Sequence, residues 1–183
     1  MNTAVSGEFN LYALMQSQAM AQPGRIAFAQ ARQRNKAGRY LYETRSYGQF
    51  LHEVDRTAAC LRDAGIRRGS KTLMLIRPDL DLPVIVFALF KLGAVPVIID
   101  PAMGMKRLLD CVRKVAPDAM IALPLVHAMR PFVGDAFASI SLFISTGTTR
   151  MPATRRLMDL RHSKAPVSKM VNTQGHDLAA IFF

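Results

Sequence analysis

Short apolar runs alternate along this chain with segments whose apolar residues recur at helical spacing. Runs of a few consecutive apolar residues, bounded by Gly, Pro or Asp, are typical of buried parallel strands. They occupy residues 71–77, 95–99, 119–123 and 141–145. Segments of helical period lie between them, at 82–92, 105–115 and 125–132. Such alternation indicates βαβ crossovers, so we predict an α/β fold with a parallel, doubly wound sheet.

The N-terminal part begins with a predicted helix. Asn10 is a residue type that caps helices, and Pro23 marks where this helix must already have ended. Leu11, Leu14 and Met15 would share its apolar face.

A hairpin and a longer helix follow in the predicted order. Residues 25–30 and 39–43 have the composition of two short strands, and the polar, basic residues 31–38 would form the loop between them. Ser46 is placed to cap an amphipathic helix that ends before Gly65, the residue type favoured just past a helix.

Residues 177–183 (Asp-Leu-Ala-Ala-Ile-Phe-Phe) predict one more buried strand. In open α/β sheets, ligands bind in the loops past the carboxyl ends of the strands. We therefore expect the residues that carry chemistry to follow Phe183, and this chain to be the opening part of a larger enzyme.

Composition and charge fit a folded domain with one strongly basic stretch. Half of the 183 residues are apolar and a fifth are charged, which is typical of globular proteins, and the net charge is +11. Residues 146–176 predict a flexible basic loop. Contact with nucleic acid or an anionic membrane is the alternative. We favour a solvated loop and no nucleic-acid partner, because no aromatic residue interleaves the charges. The basic residues are Arg150, Arg155, Arg156, Arg161, Lys164 and Lys169, against Asp159.

The cysteines and the apolar stretches predict a cytoplasmic protein. Cys60 and Cys111 lie far apart without metal-ligand spacing, so we expect two reduced core residues. The N-terminus has no basic region followed by an apolar stretch, hence no secretion signal. Residues 82–99 are interrupted by Lys91 and Pro96, which excludes a transmembrane segment there.

Residues 145–149 (Ser-Thr-Gly-Thr-Thr) are the nearest approach to a phosphate-binding loop. They lack the second glycine and the lysine that such loops use, so we predict a turn at the end of a strand. Asp79 and Asp81 lie where a helix begins, and we interpret them as helix N-terminal residues rather than an acid–base pair.

Among the remaining candidate side chains, we predict no catalytic, cofactor-binding or metal-binding residue. Met103 and Met105 are expected to fill the core. The histidines lack a neighbouring Ser or Cys in a nucleophile motif; they are His52, His127, His162 and His176.

Three segments together resemble the AMP-forming adenylating enzymes. Residues 45–50 (Arg-Ser-Tyr-Gly-Gln-Phe) resemble the first core motif of that superfamily, and residues 90–101 (Phe-Lys-Leu-Gly-Ala-Val-Pro-Val-Ile-Ile-Asp-Pro) resemble the second. Residues 177–183 are similar to the strand that leads into its phosphate loop. Gln49 stands where Glu is usual, and Leu92 where Ala is usual.

Residues 75–78 (Leu-Ile-Arg-Pro) and 87–97 are similar to the fatty-acyl ligase branch that includes bacterial olefin β-lactone synthetases. This resemblance implies an enzyme that uses ATP and Mg²⁺ to activate a fatty acid as its acyl-adenylate. The product is then a thioester, with coenzyme A or a carrier protein as acceptor, or a β-lactone formed from a β-hydroxy acid.

The resemblance also implies that residues 1–183 are an incomplete N-terminal portion of the large adenylation domain, with the remainder of the polypeptide as partner. The phosphate loop, adenine pocket, magnesium ligand and catalytic lysine come later in the family's chains. We therefore expect the chain alone to bind no cofactor and to be inactive. Lys106 and Arg107 match a region near the nucleotide entrance of coenzyme A-using relatives, but an exposed first turn explains them better. The alternative is a non-catalytic binding or regulatory module on the same scaffold.

Overall fold

The computed structural model describes residues 9–162 and 169–183. Within them, strands and helices alternate as the apolar pattern predicts. The elements are α1 (Leu11–Ala21), β1 (Ile26–Arg34), β2 (Tyr40–Ser46), α2 (Tyr47–Ala64), β3 (Lys71–Leu75), α3 (Asp81–Lys91), β4 (Val95–Ile98), α4 (Met105–Val115), β5 (Ala119–Ala122), α5 (Pro124–Met129), β6 (Leu142–Ser145), β7 (Arg155–Arg156), α6 (Leu157–His162) and β8 (Ile181–Phe182). Short 3₁₀ turns at Pro101–Met103, Arg130–Phe132 and Gly134–Phe137 complete them.

Six of the strands form one parallel sheet in the order β7-β6-β5-β3-β4-β8. Successive strand residues point to opposite faces, so Leu73 and Met74 belong to different core clusters. Met74 packs with residues of α1, α2 and α3, and Leu73 packs with residues of α4. Helices therefore cover both faces, and the prediction of a doubly wound parallel sheet is confirmed.

The hairpin β1–β2 is a separate antiparallel sheet, and it is longer than predicted. Residues 31–38 were expected to form its loop, but β1 continues to Arg34 and pairs it with Tyr40. Cross-strand contacts such as the ion pair between Arg32 and Glu43 allow polar residues to extend an exposed ladder.

Helix α2 begins with the predicted cap at Ser46. The Ser46 hydroxyl accepts from the Gln49 amide at 3.3 Å, and the Gln49 side chain accepts from the Ser46 amide at 3.0 Å. Gln49 thus completes a capping box in place of the usual Glu. The helix ends before Gly65, whose φ of 122° requires glycine.

Asn10 caps α1 as predicted and also anchors it. Its side-chain oxygen accepts from the Tyr12 amide at 2.9 Å, while Nδ2 donates to the carbonyls of Phe90 at 2.8 Å and Val171 at 2.9 Å. The predicted apolar face is wrong at Leu14, which is 55% exposed, whereas Met15 packs against the core and Tyr12 is buried in addition. These anchoring bonds and the hydrogen bond of Tyr12 with Asp55 set the rotation of the helix.

A buried charge cluster joins the three helices on this face of the sheet. Lys91 Nζ lies 2.6 Å from Asp55 Oδ1 and 3.2 Å from the Tyr12 hydroxyl. The Lys91 side chain is 5% exposed, and that of Asp55 is 24% exposed. Burial and the hydrogen bond to Asp55 raise the pKa of Tyr12, so its hydroxyl stays protonated and donates to the carboxylate at 2.6 Å.

Two predictions for the C-terminal part need correction. The stretch 146–176, predicted as a loop, contains β7 and α6, while its residues 163–168 lie outside the described ones. The bidentate pair of Arg156 with Asp159 supports that strand–helix unit. The terminal strand covers two residues instead of seven, and Phe182 is 69% exposed because β8 pairs, among the described strands, only with β4.

Cys60 is buried on α2, where its thiol donates to the Leu160 carbonyl at 2.8 Å, and Cys111 is half-buried on α4 and packs against the core; both lie on the apolar side of a helix, as predicted. Among the described helices, none is long and apolar enough to span a membrane.

We predict that Asp55→Asn destabilises the protein more than Lys91→Met. The first change strands a buried ammonium, at a cost of about 3 kcal/mol or more, whereas the second leaves a carboxylate that water reaches. Thermal unfolding should show the larger Tm decrease for Asp55→Asn. Arg113→Gln, which removes two exposed ion pairs, with Asp110 and Asp135, is the control and should change stability by under about 0.5 kcal/mol. Equal Tm values for both core variants would contradict the role given to Lys91.

Candidate functional site

The candidate site is the edge of the sheet at which the parallel strands end. From β3 the chain passes through α3 to β4 on one flank, and from β5 it passes through α5 to β6 on the other. Since β3 and β5 are neighbours, the strand order reverses between them, and open sheets bind ligands at this point. Two depressions lie along this edge, one apolar and one polar.

The apolar depression has a volume of about 520 Å³, which is in the range of small-molecule sites. Asp100 is the charged residue of its wall, and the other lining side chains are apolar. Met105, which we expected in the core, is half-exposed and lines this cavity, whereas Met103 packs against the core as predicted. The lining comprises Met74, Leu75, Ile76, Pro78, Leu82, Ile98, Ile99, Asp100, Met105, Leu108, Leu123, Val126, Met129, Val133 and Phe137.

Asp100 connects this cavity to the C-terminal residues. Its carboxylate accepts from the Ala102 amide at 2.8 Å and turns the chain after β4. Its own amide donates to the Phe183 carbonyl at 3.1 Å, and the Phe183 amide donates to the Ile98 carbonyl at 3.1 Å. The Asp-Pro end of the second motif therefore holds Phe183 at the carboxyl edge of the sheet.

The polar depression lies beside it, between Arg77, Asp79, Asp81 and residues 146–149. The Asp79 carboxylate accepts from the Asp81 amide at 3.0 Å, which confirms it as a helix N-terminal residue. Asp81 pairs with Arg161 at 2.7 Å. Each carboxylate is thus engaged in a structural contact, as expected for residues that are not an acid–base pair.

Residues 145–149 form the predicted turn at the end of β6. The Gly147 amide donates to the Ser145 hydroxyl at 3.4 Å, and Arg156 donates to the Thr148 carbonyl at 2.9 Å. Gly147 is required by close packing, because a Cβ there would lie 2.3 Å from Pro124 Cγ. The glycine therefore serves the contact between this turn and α5.

The lining of the polar depression does not fit the triphosphate of ATP. Arg77 is the one cation that lines the polar depression, and Asp79, which has no ion pair among the described residues, would repel a triphosphate there. Within residues 9–162 and 169–183, no group of three His, Cys, Asp or Glu side chains is placed to hold a metal ion. Lys106 and Arg107 lie exposed on the first turn of α4.

Of the four histidines, the structure buries His127, a position that sequence reasoning left without a role. Its Nε2 lies 3.0 Å from the Ile144 carbonyl, to which it donates, and its Nδ1 is buried without a hydrogen-bond partner among the described residues. Burial, with a contribution from the nearby Arg130 charge, lowers the pKa of His127 below its usual value. His52, His162 and His176 are exposed.

The sheet and its binding edge define an α/β protein of the doubly wound class. Residues 15–183 match the family of AMP-binding enzymes, and the chain belongs to that family. The chain is 36% identical over 141 residues to an olefin beta-lactone synthetase of Stenotrophomonas maltophilia, covering 76% of this chain and 25% of that protein. An olefin beta-lactone synthetase of Xanthomonas campestris is 30% identical over 175 residues, covering 95% and 32%.

Solved structures with this fold include further ligases. The Mycobacterium tuberculosis fatty acyl CoA synthetase has a TM-score of 0.72 at 19% identity and is covered to 32% by this chain. The coronafacic acid ligase of Pectobacterium brasiliense has a TM-score of 0.77 at 15% identity and is covered to 33%. At these identities the likeness shows the fold, which corresponds to about a third of each enzyme.

We predict that Gly147→Ala lowers the free energy of unfolding by about 1–3 kcal/mol, because its methyl group must displace Pro124 at the start of α5. Chemical denaturation measures this loss. Gly24→Ala is the matched control: nothing lies within 4 Å of its added Cβ, so stability should be unchanged or slightly higher. A Gly147→Ala protein as stable as this control would show that the contact with Pro124 is not tight.

We also predict that stability falls as the pH drops below about 6.5. His127 has a lowered pKa when folded, so the unfolded chain binds the proton more readily, and protonation draws the equilibrium toward unfolding. The Tm should therefore decrease between about pH 7.5 and about pH 5. His127→Gln keeps a donor for the Ile144 carbonyl and should lose a measurable part of this decrease. An identical pH profile for the variant would exclude His127 as a source.

Proposed function

We propose that this chain is the N-terminal scaffold of an ATP-dependent ligase that activates a fatty acid as its acyl-adenylate. The observation that carries this proposal is the family match over residues 15–183. In the activation step, a carboxylate oxygen of the acid attacks the α-phosphorus of ATP, and pyrophosphate leaves.

The relatives support a fatty acid that carries a β-hydroxyl group. Two proteins with 36% and 30% identity are olefin beta-lactone synthetases. In the second step of such a reaction, the β-hydroxyl oxygen attacks the acyl carbon and AMP leaves, which closes the lactone ring. Transfer to coenzyme A is the other outcome, and the fatty acyl CoA synthetase among the structural neighbours supports it.

The contribution we assign to residues 1–183 is structural. The chain spans a quarter to a third of the curated relatives it matches, and its described residues offer no fitting ATP ligands. The contacts of Phe183 with Ile98 and Asp100 would deliver a following phosphate loop to the carboxyl edge of the sheet. We therefore expect residues 1–183 alone to be inactive. A cytoplasmic location stays a prediction.

The test uses the complete gene product that contains this chain. With ATP, Mg²⁺ and a long-chain 3-hydroxy acid, we expect release of pyrophosphate and a product lighter than the acid by one water, detected by mass spectrometry. The acid without the hydroxyl group is the matched substrate control, and it should be activated without forming that product. In a parallel reaction to which coenzyme A is added, formation of a coenzyme A thioester with release of AMP, instead of the lactone, would select the acyl-CoA synthetase type.

Absence of pyrophosphate release with every fatty acid tried would contradict the ligase and favour the non-catalytic module. For residues 1–183 alone, isothermal titration should show no micromolar binding of ATP. Tight binding would overturn the purely structural role.

A further inference from the structure

The distal half of the β1–β2 hairpin stands away from the rest of the chain. All of residues 31–42, which we call the hairpin tip, are exposed. Every hydrogen bond that the tip makes within the described residues stays inside the hairpin. The base of the hairpin is anchored instead, by the packing of Phe28 on Phe50 and by the ion pair of Arg45 with Glu53. The tip is therefore not required for the core.

The tip is nevertheless an ordered element. Asn35 closes its turn by donating its amide to the Arg39 carbonyl at 2.8 Å, and its side chain accepts from the amides of Ala37 and Arg39 at 3.0 and 2.9 Å. Gly38 supplies the positive φ of 76° that the turn needs. A preformed tip loses little conformational entropy when it meets a partner.

The charge of the tip has a single sign. Residues 31–42 contain four cations and no carboxylate. Arg32 pairs with Glu43 at the border, and Arg34 lies over the Tyr40 ring at 4.5 Å. Lys36 and Arg39 flank the turn, with no ion pair to any described residue.

Three consecutive large side chains are exposed next to these cations. Tyr40, Leu41 and Tyr42 are 50%, 45% and 62% exposed. Because strand residues alternate between faces, Tyr40 and Tyr42 lie on one face, with their rings 6.4 Å apart, and Leu41 lies on the other. Both faces of the tip thus present apolar surface to solvent.

We propose that the hairpin tip docks on the surface of an anionic phospholipid bilayer. Tyrosine rings are favoured at the headgroup level, an aliphatic side chain enters the acyl boundary, and Lys and Arg attract anionic lipids. A nucleic acid could pair its phosphates with the cations and stack its bases on the tyrosine rings, but it offers no apolar surface to Leu41. The choice of lipid also rests on the proposed function, because a fatty acid substrate partitions into bilayers.

The test measures sedimentation of the complete gene product with vesicles of phosphatidylcholine and phosphatidylglycerol in a three-to-one ratio. We expect binding to these vesicles at low salt and none to pure phosphatidylcholine. Replacing Arg34, Lys36 and Arg39 together by Gln should weaken binding by about a hundredfold, because each basic side chain near an anionic surface strengthens binding by about fivefold. The matched control replaces Lys106, Lys114 and Arg150 by Gln; it removes the same charge and should change binding less than threefold.

A second variant, with Tyr40, Leu41 and Tyr42 replaced by Ser, should lower the binding that persists at high salt. Unchanged binding of both tip variants would overturn the proposal. Tip-dependent binding of an RNA or DNA oligonucleotide or of polyglutamate, without vesicle binding, would overturn it in favour of those partners. If the protein forms a dimer that the tip variants abolish, the proposal is overturned and the partner of the tip is a second copy of the protein. Pyrophosphate release is measured separately, so an active ligase that ignores vesicles contradicts the docking alone, and a vesicle-bound inactive protein contradicts the proposed function alone.

Discussion

The buried ammonium of Lys91 is the contact on which the arrangement of the three helices depends. It lies at the end of α3, and its partners Asp55 and Tyr12 come from α2 and α1. A buried charge is tolerated only where partners are held in place, so this cluster fixes the mutual rotation of three helices that apolar packing alone would leave less specific. Asn10 also orients α1 in this cluster, because its side chain forms hydrogen bonds with the Tyr12 amide of its own helix and with the Phe90 carbonyl next to Lys91.

The segment that contains Lys91 continues from the charge cluster to the candidate site. Residues 90–101 begin at the charge cluster on one side of the sheet, pass through β4 and end at Asp100 beside the apolar cavity. One motif of twelve residues therefore sets both the packing of the helical layer and the position of Phe183. These two structural roles are sufficient to constrain the sequence of the motif, even though it contains no catalytic group.

The sequence was sufficient for the sheet and insufficient for details that depend on distant partners. Runs such as 119–123 predicted β5 because a strand buried on both faces is continuously apolar. The face of α1 was wrong because Tyr12 is placed by Asp55, which is 43 residues away. His127 and Lys91 were missed as buried groups for the same reason: a lone polar residue in an apolar stretch gives no sign of which side chain or carbonyl will satisfy it. The cavity at the carboxyl edge follows from topology, but its apolar lining depends on how side chains from distant segments pack around it.

Pro96 in β4 has a consequence for the chain while it is being synthesised. The neighbouring Val95 donates its amide to Ser70, on the β3 side, so Pro96 turns its nitrogen, which carries no hydrogen, toward the flank that β8 later occupies. This side of β4 stays unpaired until residues 99–183 have been synthesised, which takes on the order of ten seconds at typical ribosomal rates. During this interval an open strand edge could recruit another nascent chain, and a proline there withholds one donor from such pairing. Pro96 thus reduces the pairing of the growing polypeptide with other chains before β8 has been synthesised.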